Sequence, residues 1–521
     1  MEYRNGVWVL ERGAQPDGWN WSRPGEVWYT KVPYAALEYY EQGSEAAQEV
    51  LRPYHEEYQR SWAQETGFRA PIPKGLELMP FQQAGVEYAL SRPHALIGDQ
   101  PGLGKTAQAI AISNVLDSQA TLVICPAAVR YHWRGEIMRW SAITGVRPYC
   151  VFKATDGVHP RAPYVVLSYD LVSRSKPVLE AVLRRQWKHL ILDEAHYLKT
   201  ISSRRTKAVF GSLAQKCERV TALTGTPLPN RPRECYTLTR SLCWEAIDWM
   251  SYEKFKFRFN PSDMWREEVG RLPELHARLR CNYLVRRLKS AVLSQLPEKT
   301  YELVEVEENG GISKVLRAEK ELVGDMGVVE EWLANLKADP KAMGHIATLR
   351  REMGVAKVPR VVEHVTLLLE GGLDKLVLFT YHKEVIQLIV QELKAYCPVV
   401  IQGSTSMKQR HHGVGLFVSD PKRRVLVGQL QAAGTGIDGM QDAASVAVFA
   451  EPSWVAADNE QAVDRLHRHG QKSGVLAQFL VAPGSLDEKI LGAAIRKEVN
   501  VKTVLDGYSQ KGGRRGKSIS N

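Results

Sequence analysis

The stretch HALIGDQPGLGKTAQAIAISNVL, residues 94–116, decides the fold. A short apolar run ends in a glycine-rich turn, and a segment of helical composition follows. Strand, turn and helix in that order are the setting a phosphate-binding loop needs. Gly102 and Gly104, flanking Leu103, permit tight turns, so successive N–H groups converge on phosphates at a helix N-terminus. Lys105 is placed to reach the β- and γ-phosphates, and Thr106 to ligate Mg²⁺. Asp99 stands at the first of the loop's eight positions, where the generic pattern has glycine. The bland alternative is a glycine-rich turn carrying a surface lysine.

Outward from this stretch the same rhythm recurs. Apolar runs at 120–126 (ATLVICP), 164–170 (YVVLSYD), 189–196 (HLILDEAH) and 219–227 (RVTALTGTP) are separated by segments long enough for helices. A second set follows at 375–381, 398–403, 424–429 and 444–451. Buried strands alternating with helices predict parallel sheets covered on both faces, and two sets predict two such domains. The expected organisation is a 1–70 accessory segment, a first lobe over 71–240 and a helical insertion and brace over 241–300. A second lobe over 301–507 follows, with a helical insertion at about 305–360, and then a basic tail, 508–521, that reads as disordered. The 1–70 segment holds Trp8, Trp19, Trp21, Trp28 and Trp62 and is read as small α+β. It has two strands, GVWVLE and EVWYTK, then helix over 34–65 interrupted at Pro53.

The composition sets bounds. The 521 residues are 44% hydrophobic and 24% charged, ordinary globular values that rule out a fibrous or wholly disordered chain. No apolar run reaches the ~18 residues of a membrane helix, and the start lacks a secretory signal. Seven scattered cysteines without a C-x-x-C pair exclude a disulfide scaffold and the usual structural zinc spacings. The expectation is a soluble protein of a reducing compartment, cytoplasmic or nucleoid-associated. Net charge is 69 − 58 = +11; residues 1–70 carry 7 − 11 = −4 and the tail +4, which leaves +11 on the body. A basic body suits a polyanionic partner, although a solvated basic surface accounts for it equally well.

Two further stretches carry chemistry. In ILDEAHYLK (191–199), Asp193 at a strand end can hold Mg²⁺, and Glu194 beside it can polarise an attacking water. Neighbouring carboxylates repel when both are ionised, so a metal's charge keeps both usable. His196 is read either as a packed histidine or as a coupling contact. In NEQAVDRLHRHGQK (459–472), Arg465 and Arg468 lie three apart, on one helical face. Their planar, permanently charged forks suit a phosphoryl transition state; the alternative is an exposed basic helix. Upstream, LMPFQQAG (78–85) places Gln82 where its amide could meet an adenine edge.

Together these strings resemble the Swi/Snf family of helicase-like, DNA-dependent ATPases, over roughly residues 76–500. The order LMPFQ, GLGKT, LVICPAAVRYHW, VVLSYDLV, DEAHYLK, LTGTPLPN, YLVRRLKSAVLSQLPEK, LVLFTYHKEV, AAGTGID and QAVDRLHRHGQ is the family's order. AAVRYHWRGEIMRW, LRREMGVAKV and VFAEPSW resemble its annealing-helicase, HepA-related branch. Gln100–Pro101 replaces the usual acidic–Met pair, Asp438 stands where Asn is usual, with one extra residue after it, and His469 replaces Ile. The resemblance implies two RecA-like lobes forming a helicase core. It implies Gln82, Asp99, Gly102, Leu103, Gly104, Lys105 and Thr106 around ATP, Thr106 and Asp193 for Mg²⁺ and Glu194 as general base. Arg465 and Arg468 become arginine fingers, and Thr224 and Thr226 couple hydrolysis to movement. DNA contacts fall at Pro126–Ala127, Ser168–Tyr169, Gly403–Ser404 and Ala433–Gly434.

The implied activity is an ATP-driven, sequence-independent translocase on double-stranded or forked DNA that anneals or branch-migrates strands. Rival readings are a motor that displaces a bound protein such as RNA polymerase, a strand-separating helicase, and a catalytically idle DNA-binding scaffold. The acidic, aromatic 1–70 segment is expected to read substrate geometry or dock a partner protein.

Overall fold

The computed structural model describes residues 1–10, 19–22, 27–225, 232–259, 271–293, 297–323, 340–433, 438–453 and 455–489, with Leu491. Among these the chain divides into two compact units, the first ending at Val292 and the second beginning at Leu293.

The first unit opens on a four-stranded antiparallel sheet. Its strands are β1 (Glu2–Arg4), β2 (Val7–Leu10), β3 (Asn20–Ser22) and β4 (Val27–Thr30), in the order β1-β2-β4-β3. Trp8 and Trp19 are buried under it with Ala47 and Leu51, and Trp21 stacks beside Trp28 with ring centroids 4.9 Å apart. The aromatics are therefore mainly a small core. One expectation needs correction: the helix Glu45–Arg60 runs through Pro53, and the break falls earlier, at Gly43. Proline removes one backbone donor at a cost of about 3 kcal/mol in an isolated helix. Burial of Ala47 and Leu51 under the sheet, and of Tyr54 and Tyr58 against the helix Leu272–Asn282, offsets that cost.

That seating is specific. Tyr58 Oη and His276 Nε2 are 3.0 Å apart, Asn282 Nδ2 donates to Tyr34 Oη at 3.1 Å, and Arg92 pairs with Glu57. Arg280 is buried with its guanidinium 3.6 Å from the centre of the Trp62 ring. Its Nη1 donates to Ser61 O at 3.1 Å and to Arg286 O at 2.8 Å.

The main sheet of the unit has seven parallel strands: β5 (His94–Ile97), β6 (Thr121–Cys125), β7 (Tyr149–Cys150), β8 (Tyr164–Ser168), β9 (Trp187–Asp193), β10 (Cys217–Leu223) and β11 (Leu284–Val285). Their order is β11-β5-β10-β9-β6-β8-β7. Each central strand sends alternate side chains into two cores, Leu122, Ile124 and Leu190 into one, Val123, Cys125 and Ile191 into the other. That double burial is why the strands read as unbroken apolar runs.

The second unit repeats the design with six parallel strands, β12 (Lys299–Glu305), β13 (Leu376–Thr380), β14 (Val399–Ile401), β15 (Val425–Gln429), β16 (Val446–Phe449) and β17 (Val475–Val481). They lie in the order β12-β17-β16-β13-β15-β14, again with a core on each face. Between β12 and β13 come the helices Gly310–Val323 and Pro340–Glu370. Both units are α/β, each a parallel sheet with a core on either face, as expected. Among the described residues, no helix is long and apolar enough to cross a membrane.

Replacing Arg280 by Met keeps its bulk and strands the carbonyls of Ser61 and Arg286. The expected result is a loss of about 2–3 kcal/mol of stability and faster amide exchange in Glu45–Arg60. Unchanged exchange there would show that the accessory segment is seated by its other contacts.

Candidate active site

The site of the first unit lies beyond the carboxyl ends of β5, β9 and β10, where an open parallel sheet places its ligands. β5 runs into the loop 98–104, and the helix Lys105–Val115 starts from Gly104. Gly102 and Gly104 have φ of +88° and +75°, a region costly for any residue with a Cβ. A Cβ on Gly104 would also lie 2.3 Å from Gln82 Nε2. The loop thus takes the conformation that its two glycines predicted.

Gln82 crosses the loop from the helix Pro80–Leu90. Its Nε2 donates to Leu103 O at 3.1 Å, and its Oε1 accepts from Met79 N at 2.9 Å. One N–H and one lone pair of the amide are left for a base edge. Lys105 Nζ curls onto the loop and donates to Asp99 O at 2.8 Å. Enclosure lowers the pKa of its ammonium, while Glu194, Asp99 and Asp193 pull it back up.

Asp99 does something other than hold phosphate. Its carboxylate is buried and accepts from Gln108 Nε2 at 2.9 Å and from Arg287 N at 2.9 Å. The Arg287 guanidinium pairs with it at 3.4 Å and also donates to Ala63 O. Around this pair, Gly98 N donates to Val285 O, Gln100 N to Arg287 O, and Lys289 N to Gln100 Oε1. Arg286 Nη1 donates to Gly98 O at 2.7 Å and Gly225 O at 3.0 Å. The VRRLK stretch, read from sequence as a brace, is therefore the wall that fixes the phosphate loop. The Asp99 side chain belongs to that wall.

Opposite the loop, β9 ends in Asp193 and Glu194. Trp133 Nε1 donates to Asp193 Oδ2 at 2.7 Å, Glu194 N to Oδ1 at 3.0 Å, and Tyr169 Oη to Asp193 O at 2.8 Å. Enclosure first, and the neighbouring Glu194 carboxylate second, raise the Asp193 carboxyl to about 6. Glu194 has φ +50° and ψ +52°, a left-handed conformation that costs of order 1 kcal/mol outside glycine and gathers at functional sites. Its Oε2 is 3.2 Å from His196 Nδ1 and accepts from Thr224 Oγ1 at 3.4 Å; the histidine is 3.0 Å from that hydroxyl. Thr224, at the end of β10, is thus tied to the acidic pair, and His196 is a contact of the site. Trp133 was not singled out from the sequence, because 60 residues separate it from its partner.

Among the described residues no group of three or more His, Cys, Asp or Glu could cage a metal. Mg²⁺ does not need one, because it is commonly held by one or two protein oxygens with water and substrate phosphates. Asp193, oriented by two donors, and the Thr106 hydroxyl fit that demand.

The remaining assignments divide. Ala127 is exposed after β6 with Pro126 half-buried beside it, and Gly403 and Ser404 are exposed after β14; all stay available to a backbone partner. Ser168 and Tyr169, by contrast, are engaged within the unit. Both are 2% exposed, with Ser168 Oγ capping the helix Tyr169–Arg174 and Tyr169 bonded to Asp193. Ala433 ends the helix Leu430–Ala433, while Thr226 and Gly434 lie outside the described residues. In the second unit, Arg465 and Arg468 follow the helix Ala456–Val463, and one Nη1 of each donates to Asp438 Oδ1.

Residues 81–317 match the model of the SNF2-related domain. It is 32% identical over 458 residues to "DNA annealing helicase and endonuclease ZRANB3" of Mus musculus, covering 84% of this chain and 41% of that protein. It is 32% identical over 447 residues to "SWI/SNF-related matrix-associated actin-dependent regulator of chromatin subfamily A-like protein 1" of Xenopus tropicalis, covering 82% of this chain and 46% of that one. The chain thus spans less than half the length of these curated relatives. A solved "Sulfolobus solfataricus SWI2/SNF2 ATPase core in complex with dsDNA" overlays with a TM-score of 0.40 at 21% identity, covering 87% of this chain and 100% of that one.

The raised Asp193 carboxyl has a consequence for stability. Below pH 4 both folded and unfolded forms hold the proton. Between about 4 and 6 only the folded form does, so stability falls as pH rises through that window. In Mg²⁺-free buffer, the melting temperature of Asp193→Asn relative to wild type should rise between pH 5 and pH 7.5, by the equivalent of about 1–2 kcal/mol. A difference that stays flat with pH would refute the raised value.

Proposed function

We propose that the chain is an ATP-driven motor on double-stranded or forked DNA, whose ATPase is stimulated by the DNA it moves along. The observation that carries this reading is the acidic pair at the end of β9. One carboxylate is fixed by Trp133, and the other is held in left-handed backbone beside Thr224, with Lys105 facing both. A strained acidic turn opposite a glycine-cradled lysine suits phosphoryl transfer better than a structural role does.

In this reading the loop N–H groups and Lys105 bind the polyphosphate at the helix N-terminus, and Gln82 meets the base. Mg²⁺, when bound by Thr106 and Asp193, would offset charge on the β- and γ-phosphates. Glu194 accepts a proton from the attacking water, held by the Thr224 hydroxyl and His196 on its far side. Arg465 and Arg468 are read as groups that act on the γ-phosphate, a contribution worth about 10³–10⁵ in rate for arginines of this kind. DNA that favours the hydrolytic arrangement stimulates turnover by shifting the population towards it. Contacts through Pro126–Ala127, Gly403–Ser404 and Ala433–Gly434 would follow the sugar–phosphate backbone and carry no sequence preference. The net +11 charge and the similarity to an annealing helicase support forked DNA and strand annealing as the substrate and outcome.

A steady-state assay tests this. Wild-type ATPase should rise at least tenfold with forked DNA and lose that stimulation steeply as salt increases. Lys105→Ala and Glu194→Gln should each lower DNA-stimulated kcat by 10²-fold or more while the fold, by circular dichroism, is kept. Arg465→Ala and Arg468→Ala should lower kcat without abolishing binding of a non-hydrolysable ATP analogue. Turnover indifferent to DNA, or surviving Lys105→Ala, overturns the motor.

A further inference from the structure

The arginine segment of the second unit is held in two ways. The segment is anchored through side chains by Lys299, whose Nζ donates to Glu460 Oε1 and Asp464 Oδ1 at 3.2 Å each, and by His467, whose Nε2 donates to Pro297 O at 2.8 Å. The Lys299 side chain is enclosed and the Asp464 side chain is 2% exposed, so this anchor is a buried clamp. The two guanidinium groups, by contrast, are gathered by one half-exposed carboxylate. Arg465 Nη1 donates to Asp438 Oδ1 at 3.2 Å, and Arg468 Nη1 donates to the same oxygen. The Nε–H of Arg468 is buried and has no acceptor among the described residues.

A segment clamped from below and two charged forks tied to one exposed oxygen leave only side-chain torsions free to reorient the arginines. The buried Arg468 Nε–H still seeks an acceptor. A triphosphate brings more charge and more oxygens than Asp438 can, and satisfies that demand.

We infer that Asp438 is a positioning residue that parks Arg465 and Arg468 together and is exchanged for nucleotide phosphate when they engage. The inference rests on the reading of these arginines as phosphate-binding groups. An exposed ion pair contributes little, so the exchange is easy and the effect of Asp438 is a modest brake. It keeps the forks from wandering and delays their capture by phosphate.

Asp438→Asn removes the charge and keeps the shape. Without nucleotide, phenylglyoxal should modify Arg465 and Arg468 about three- to tenfold faster in this variant than in wild type, as mapped by mass spectrometry. Affinity for a Mg²⁺-loaded non-hydrolysable ATP analogue and ATPase in the absence of DNA should both rise by a similar factor. Asp438→Glu, which keeps the charge, should stay within twofold of wild type in all three measurements and controls for loop damage. Unchanged or slower modification together with unchanged affinity in Asp438→Asn overturns the parking role. If Arg465→Ala and Arg468→Ala keep full ATPase, the phosphate-binding reading falls first, whatever Asp438→Asn does to modification rates. If they lose it and Asp438→Asn changes nothing, only the parking role falls.

Discussion

The buried pairing of Asp99 with Arg287 is the constraint on which the first unit's site depends. A phosphate cradle works only if its N–H groups already point inward, and a chain of seven residues cannot hold that shape alone. Here Asp99, the loop's second residue, is a carboxylate with no solvent access, bonded to the Arg287 backbone, the Arg287 side chain and Gln108. Burying such a pair gains little net stability, but leaving either partner alone would cost several kcal/mol. The pair therefore acts less as glue than as a requirement: loop and wall are in register, or the structure is heavily penalised. Arg286 extends it by holding the carbonyls of Gly98 and Gly225, just beyond the carboxyl ends of β5 and β10.

Against that rigid cradle the acidic pair is kept in tension. Asp193 and Glu194 are neighbours in sequence and in space, and each raises the cost of ionising the other. Trp133, the Glu194 N–H and the Thr224 hydroxyl spread that cost over three donors and aim each carboxylate differently. Tyr169 closes the arrangement from β8 by bonding the Asp193 carbonyl. Neutral donors can orient the pair but cannot neutralise it, which leaves room for a cation.

How much of this was legible follows from what each residue touches. β5, β6, β8, β9 and β10 were readable because both of their faces are buried, so nothing polar interrupts them. β7 and β11 are two residues long, and β12 is an edge strand with mostly exposed side chains, so no apolar run marks them. The run of β17 is broken by Gln478, which is bonded to His364 and Glu302. Around the site, the glycine turn after β5 and the acidic end of β9 were legible because each follows directly on an unbroken apolar run. The inward turn of Asp99, the Trp133 bond and the burial of Ser168 and Tyr169 were not. Each depends on a partner brought close by the fold, 188 residues away for Asp99 and 60 for Trp133. Pro53 misled for the opposite reason, because a local rule gave way to tertiary packing.

Two arginines of the first unit, Arg280 and Arg287, also grip the end of the accessory segment. Arg280 holds the carbonyl of Ser61 as well as that of Arg286, and Arg287 holds the carbonyl of Ala63 as well as the carboxylate of Asp99. Whatever leans on the aromatic sheet at the amino terminus pushes on a strut of short, stiff, mostly buried bonds whose other end is the cradle itself. The segment is mounted like a handle on the engine block, so a torque applied to it is delivered to the place where phosphate would sit.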